Sequence, residues 1–356
     1  MRFRILDAAV PDERAAWLAA WGRWPEREPM AHPGYVSLLA REGDRAVAAL
    51  AEEENATILM PLVLRPLAAE PWAAPREGAW DATTPYGYGG PFAWGDGWLE
   101  EGAFWRAYDR FCREARVVCT FARLSVFAGQ LARTWPGRIA ARGPNVVVSL
   151  AGGAGAARAR YDRDLPRRLR RAAREGLTAE VDPAGARLDA FCAVYGHTME
   201  RRGAAAWYRF PRTFFERLVA ALPGQVAFVH VLQEGRVVSS ELALVSAHHV
   251  YSFLGGTDAA AFRAYPDELL KDATVAWAAG AGKRAYVLGG GKDGGEGLLR
   301  HKRWFAPPEG VVPFRTAHLV HDEVAYHALA RRRAAVEAAT GLPWKPDREF
   351  FPLYRA

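Results

Sequence analysis

The sequence predicts an α/β (α+β) chain of two tandem units, each a mostly antiparallel mixed sheet flanked by helices. Three observations lead there. The chain has 356 residues, half of them hydrophobic, which suits two domains with real cores. The second half spells helix, helix, three strands with short turns, helix, strand. The first half reads as a fainter copy of that order, without sequence identity between the halves.

The first half has a hairpin from 45–52 and 56–64 (ATILMPLVL). A Gly/Tyr cluster, TPYGYGGPF, follows at 84–92. A helix is expected at 98–114, then strands at 118–126 and 145–150. Residues 151–157 (AGGAGAA) are small and lack a core pattern, so they read as a linker. That places one domain at 1–150 and another at 158–310. Residues 311–356 carry a strand-like VVPF, a helix at 322–338 and a terminal FFPLYRA. They either complete the first domain or extend the second.

The second half opens with helices at 187–202 and 212–222. In the first, Leu188, Phe191, Cys192, Tyr195 and Met199 share a face. Strands at 225–232, 237–245 and 250–254 form an antiparallel meander, with Gly235 in the first turn. Pro266 and Asp267 start the next helix, in which Leu269, Leu270, Ala273 and Trp277 recur at helical spacing. It ends at Gly280/Gly282, and a short buried strand follows at 285–288. This is the core order of the GCN5-related N-acetyltransferase (GNAT) superfamily, so the two units are expected to be GNAT-like.

Composition narrows the function. Lys and Arg number 47 against 40 Asp and Glu, a net charge of +7. Such a surplus fits an anionic partner, and equally a protein with none. Cys112, Cys119 and Cys192 are too few and too scattered for a disulfide framework or a zinc cluster. The start, MRFRILDAAVPDE, meets acid before any signal-length apolar run. No stretch approaches the ~18 apolar residues of a membrane span. A soluble, cytoplasmic protein is expected.

Three segments carry possible chemistry. In DLPRRLRRAAREG (164–176), Arg167, Arg170, Arg171 and Arg174 fall on one helical stripe. Like charges at these spacings cost a few tenths of a kcal/mol per pair. With no acid within the stripe, a phosphate-rich partner such as RNA competes with a plain solvated face. The second segment is GGGKDGGEGLLRHKRWF (289–305), a glycine run leading to His301 and Lys302. It has neither the P-loop nor the dinucleotide-loop spacing, and a surface loop is its bland reading. The third is the Gly/Tyr cluster, where Tyr86 and Tyr88 form either a substrate wall or a packed loop. His248-His249 reads as a solvent-facing turn, and no metal site is expected. The H-E-x-x-H, C-x-x-C and G-x-S-x-G motifs are absent. So is [Q/R]-x-x-G-x-[G/A], the GNAT cradle for the coenzyme A pyrophosphate, between meander and helix.

Taken together, these segments resemble the Fem-type (FemABX) aminoacyltransferases and their natural-product relatives. The resemblance runs from about 80 to 310. It rests on TPYGYGGP (84–91), the arginine-rich helix before REG (174–176), and Thr198, Glu200, Arg201 and Gly203 as T-x-E-R-x-G. It continues through YSFLGGTD (251–258), Pro266/Leu269/Leu270, and the G-L ending at Lys302. It implies transfer of an amino acid from aminoacyl-tRNA to an amine of a peptidoglycan precursor or a natural product, with an amide as product. Aminoacyl-tRNA is then a co-substrate, and no cofactor is needed. By position, Lys302 matches the lysine near the reacting centre. Arg209 resembles an arginine that holds acceptor phosphates. Tyr86 and Tyr88 lie in the acceptor-groove motif, and Arg201 and Tyr251 lie in motifs taken as substrate-binding. His301 replaces the usual Phe and is a candidate to take the amine proton. The arginine stripe would meet tRNA phosphates. Two alternatives stand beside this: an acyl-CoA-dependent N-acetyltransferase, and a non-catalytic RNA- or nucleotide-binding module.

Overall fold

The computed structural model describes the chain apart from residues 74–77, 291–295, 342, 343 and 348. In chain order its regular elements are β1 (Arg2–Asp7), α1 (Pro11–Arg23), α2 (Pro33–Leu39), β2 (Arg45–Glu53), β3 (Ala56–Pro66), β4 (Trp80–Thr83), β5 (Phe92–Trp94), α3 (Glu101–Glu114), β6 (Val117–Arg123) and β7 (Arg138–Ser149). There follow α4 (Gly153–Arg158), α5 (Leu165–Arg174), β8 (Thr178–Asp182), α6 (Leu188–Arg201), α7 (Arg212–Ala221), β9 (Val226–Gln233), β10 (Arg236–Val245) and β11 (His249–Thr257). The last are α8 (Pro266–Gly280), β12 (Ala285–Gly289), α9 (Glu296–Arg303), β13 (Val311–Val320) and α10 (Glu323–Ala339). The helix–helix–meander–helix–strand order expected after residue 187 is present as α6, α7, β9–β11, α8 and β12.

Two compact units result. The first comprises Met1–Pro25, Met30–Arg142 and Arg315–Ala356, and the second Glu26–Pro29 and Gly143–Phe314. The C-terminal segment from Arg315 therefore belongs with the N-terminal one.

In the first unit the strands lie in the order β1-β2-β3-β4-β6-β13, with β5 on β3. In the second the order is β8-β9-β10-β11-β12-β7. The two lists correspond strand for strand. In each, four antiparallel strands lead to one parallel pairing, β4 with β6 and β11 with β12. An antiparallel strand from elsewhere in the chain closes each set, β13 on β6 and β7 on β12. The helices correspond as well: α1 and α2 precede β2 as α6 and α7 precede β9, and α3 precedes β6 as α8 precedes β12. The faint copy suggested by element order is thus a repeat of topology.

Burial on both faces explains the apolar runs. In the first unit Val47, Ala49, Ala51, Ile58, Met60 and Leu62 meet Phe104, Trp105 and Tyr108 of α3. Ala46, Ala48, Leu50 and Leu59 face the other way, toward Trp17, Trp21 and Val36.

Two expectations need correction. Residues 151–157 are not a linker: they lie in the second unit, and α4 covers most of them. Gly152 and Gly153 take positive φ at the turn, and the alanines that follow are strong helix formers. Nor is His248-His249 a wholly solvent-facing turn. His249 is buried, and its Nδ1 lies 2.9 Å from Glu28 Oε1.

The C-terminus is tied into the first unit by charge. Asp81 is wholly buried and accepts from Arg65 Nε at 2.7 Å and Arg355 Nε at 2.5 Å. Arg355 also binds Glu70. Asp81→Ala takes the shared buried carboxylate from Arg65 and Arg355 and leaves Arg355 only Glu70, which costs about 3 kcal/mol. Urea unfolding should show that loss as a lower midpoint.

Candidate active site

The site is built on one face of the strands of the second unit. Glu241 and Ala243 alternate onto the same face of β10. The pairing of β10 with β11 shifts between Leu242 and Ala243, so Ala243 stands opposite Ser252 and Phe253 is the extra residue. Such a bulge re-aims side chains. Here it turns Ser252 onto the face of Glu241. Tyr286 of β12, level with Val250 of β11, shares that face. Helix α8 covers it, with Val275 and Ala278 packed on Ala243, Val250 and Tyr286. Lys271 and Val275, four residues apart on α8, project from one side of the helix.

At the centre is Glu241, 2% exposed. One carboxylate oxygen accepts from Tyr286 OH, and the other from Lys271 Nζ and Ser252 Oγ. Lys271 Nζ also donates to Ser252 Oγ at 3.1 Å. Burial by itself would push Lys271 toward its neutral form. The carboxylates of Glu241 and Asp267 outweigh that and hold it above the usual lysine range. Burial, reinforced by Glu241, keeps the Tyr286 hydroxyl protonated.

Lys302 lies on α9, and its Nζ donates to Gly290 O at 2.6 Å. Burial, and then the Lys271 ammonium, push it down to about 8, against the pull of Glu241 and Asp267. Gly290 is needed as glycine, because a Cβ there would stand 2.5 Å from Pro144 O. The carbonyl that holds Lys302 is therefore fixed by a close backbone approach. Residues 291–295 of the glycine run lie outside the described residues. His301 and Lys302 are not in a surface loop: they sit in a helix whose end packs inward through Trp304 and Phe305. His301 Nδ1 is 3.5 Å from Asp267 and its Nε2 is 3.9 Å from Glu268.

The start of α8 is acidic. Tyr265 caps it with φ 60°, Pro266 removes an N–H, and Asp267 and Glu268 fill the first turn. Glu268 is bonded to Arg168 at 3.1 Å. The Arg168 guanidinium lies 3.9 Å from the Trp304 ring centroid and 4.8 Å from that of Tyr265. A helix N-terminus is ordinarily an anion site. This one already holds its own carboxylates.

The other residues expected from the sequence are dispersed. Arg167, Arg170, Arg171 and Arg174 are exposed on α5. Their stripe is flanked by acid at both ends, with Asp164 3.9 Å from Arg167 and Glu175 3.5 Å from Arg171. Exposed pairs of this kind add little stability. Arg201 donates to Thr257 O at 2.9 Å and lies over Phe262. Arg209 is exposed and donates to Ala204 O at 3.1 Å. Tyr251 is 2% exposed, inside the layer and edge-on to His249. Tyr86 and Tyr88 belong to the first unit. There Tyr86 O accepts from Tyr35 OH at 2.7 Å, and burial raises the Tyr88 hydroxyl above its usual range. The structure thus brings His301 beside Asp267 and Glu268 and puts Lys302 within electrostatic reach of Lys271, Glu241 and Asp267. Sequence reading passed over Glu241, Ser252, Lys271, Tyr286 and Arg168. Two signals were available: the lone acid in the apolar strand VVSSELALV and the lone lysine of α8.

Residues 158–303, all within the second unit, match the protein-family model described as an acetyltransferase (GNAT) domain. Among solved structures, FemX shares the fold with a TM-score of 0.67 at 11% identity, over 92% of this chain and 99% of that one. A conserved protein of unknown function from Bacteroides thetaiotaomicron VPI-5482 gives a TM-score of 0.54 at 11% identity, over 90% of this chain and 99% of that one. No curated protein matches the sequence. The matched segment carries a GNAT-like domain, and the chain as a whole has a fold found in FemX. Among the described residues no helix is long and apolar enough to cross a membrane.

The lowered Lys302 value has a thermodynamic consequence. An unfolded lysine titrates near ~10.4, so the folded chain binds fewer protons between there and about 8. Stability associated with this group is therefore full above about pH 10 and is lost as pH falls toward 8. Replacing the amine by an apolar chain removes that loss and one hydrogen bond worth ~1 kcal/mol. Lys302→Met should be more stable than the parent by about 2 kcal/mol at pH 7. The advantage should be gone by about pH 10, and paired urea titrations across that range measure it.

Proposed function

We propose that the protein transfers an aminoacyl group from aminoacyl-tRNA to an amine, with an amide as product. The acceptor would be a peptidoglycan precursor or a natural-product amine. The supporting observation is the acidic start of α8. In a coenzyme-A-dependent relative, the pyrophosphate needs free N–H groups and low negative charge between meander and helix. Here Pro266, Asp267 and Glu268 stand in that place, and the available cations lie instead along the exposed face of α5. A surface of that kind suits an extended polyanion.

In this reading the acceptor amine attacks the ester carbonyl beside Lys302. Holding the two reactants in register supplies much of the rate, since well-aligned pairs gain up to ~7–11 kcal/mol over free collision. The Lys302 amine lies next to charge that develops on the intermediate and on the departing 3′ oxygen. Arg209 is a candidate for the acceptor's phosphates, with Arg201, Tyr86, Tyr88 and Tyr251 as substrate-binding residues by resemblance.

A second reading is supported by the family match itself, whose description is an acetyltransferase domain. It would use an acyl-CoA donor on the same lysine. Mass spectrometry of an amine pool incubated with the protein and either charged tRNAs or acyl-CoAs separates the two, because the mass gained names the donor. Transfer only from acyl-CoA overturns the aminoacyl reading. No transfer from either leaves a binding module.

Two variants test the residues. Lys302→Ala should lower turnover by about 10²–10³-fold while the fold persists. Neutralising Arg167, Arg170, Arg171 and Arg174 together should flatten the log–log salt dependence of tRNA binding by about 3–4. Filter binding at a series of salt concentrations gives that slope.

A further inference from the structure

The buried Glu241–Lys271 pair has no part in the transfer as described so far, yet its charges act on Lys302, whose neighbour His301 lies 3.5 Å from Asp267, one turn before Lys271 on α8. A charged pair in a sheet–helix interface is costly to bury unless each group is fully partnered. Here partnering is complete on the carboxylate side, which takes three donors from three elements, α8, β11 and β12. The corresponding interface of the first unit, between β3 and α3, is apolar and built from Met60, Leu62, Phe104 and Tyr108. The fold itself does not require the ions.

We propose that Lys271, anchored by Glu241, is a positioning residue that holds Lys302 as the proton acceptor of the transfer step. This rests on the acyl-transfer reading of the same site.

The geometry supplies the parts. Tyr286 and Ser252 bind the carboxylate of Glu241, so it keeps its charge and fixes the Lys271 ammonium. That ammonium, on α8, disfavours the charged form of Lys302. Glu241 on β10 and Asp267 on α8 favour its charged form, and the Gly290 carbonyl accepts from it. His301, its neighbour on α9, has both ring nitrogens toward carboxylates of α8. The neutral Lys302 amine has a lone pair, which neither Lys271 nor any arginine offers near neutral pH.

The step balances. The acceptor nitrogen bonds to the acyl carbon and passes one proton to Lys302 Nζ. The bond from that carbon to the donor oxygen, or sulfur for a thioester, breaks. Lys302 returns the proton to the leaving atom, so the products are an amide and a free hydroxyl or thiol. Lys302 ends as it began.

The test compares the parent with Lys271→Met and Lys271→Arg by two readouts. The first is the pH dependence of acylation of the Lys302 amine by a small anhydride, followed by peptide mass spectrometry; it needs no donor. The second is the pH profile of kcat/KM with whichever donor supports transfer. In the parent both should show a midpoint near about 8. In Lys271→Met both should rise by about one unit, and Lys271→Arg should restore them. Should Lys271→Met fail to fold, Lys271→Met combined with Glu241→Gln removes both charges together. The midpoints should still rise, because the lysine acts on Lys302 more strongly than the carboxylate does. Unmoved midpoints in both readouts overturn the proposal. So does a labelling midpoint that rises while the kcat/KM limb stays fixed, since Lys302 is then not the proton acceptor. Absence of transfer from every donor overturns the functional reading and this role with it, even if the labelling midpoint rises.

Discussion

The polar centre of the second unit is organised by one buried carboxylate. Glu241 sits in the middle of a strand whose neighbours are apolar, beneath a helix, where an unpartnered anion would be prohibitive. It is tolerable because a lysine, a serine and a tyrosine from three different elements converge on it. That convergence sets requirements on the backbone. The shift in pairing between β10 and β11 brings Ser252 to the correct face. The register of β12 on β11 brings Tyr286 level with it. The phase of α8 brings Lys271 down onto it.

The repeat makes the contrast informative. Both units use the same strand order and the same helix over the same strand, and one of them fills that interface with aromatic and aliphatic side chains. Architecture and chemistry are therefore separable in this molecule. The first unit has charges of its own, around Asp81, but they fasten the end of the chain rather than act on a lysine with a lowered pKa. The start of α8 shows the same division. Its helix geometry is ordinary, and its residues convert a usual anion site into an acidic corner closed by Arg168.

Much of the fold was legible because alternation and turn chemistry mark antiparallel strands well. The meander from Val226 to Thr257 and the helix from Pro266 follow directly from these signals. Short or unusual elements were not. β4 and β5 are four and three residues long, too brief for a period to register, and α4 is disguised by glycines. The site was legible in part. Lys302 stood out by resemblance and His301 beside it. Glu241 and Lys271 did not, since one is a lone acid in an apolar strand and the other a lone lysine among the acids of α8, and only the pairing of distant strands with a helix puts them together. The arginine stripe looked free of acid because Asp164 and Glu175 lie just beyond its ends.

The discontinuous first unit bears on synthesis. A ribosome completes Gly143–Phe314 before it makes the strand and helix that finish the earlier unit. Apart from Glu26–Pro29, already made by then, the lysine-bearing body is a contiguous insertion, free to collapse while its predecessor still lacks β13 and the Arg355 anchor. Translation rate past Phe314 thus governs how long an unfinished sheet edge stays open to aggregation, the kind of edge that draws chaperones.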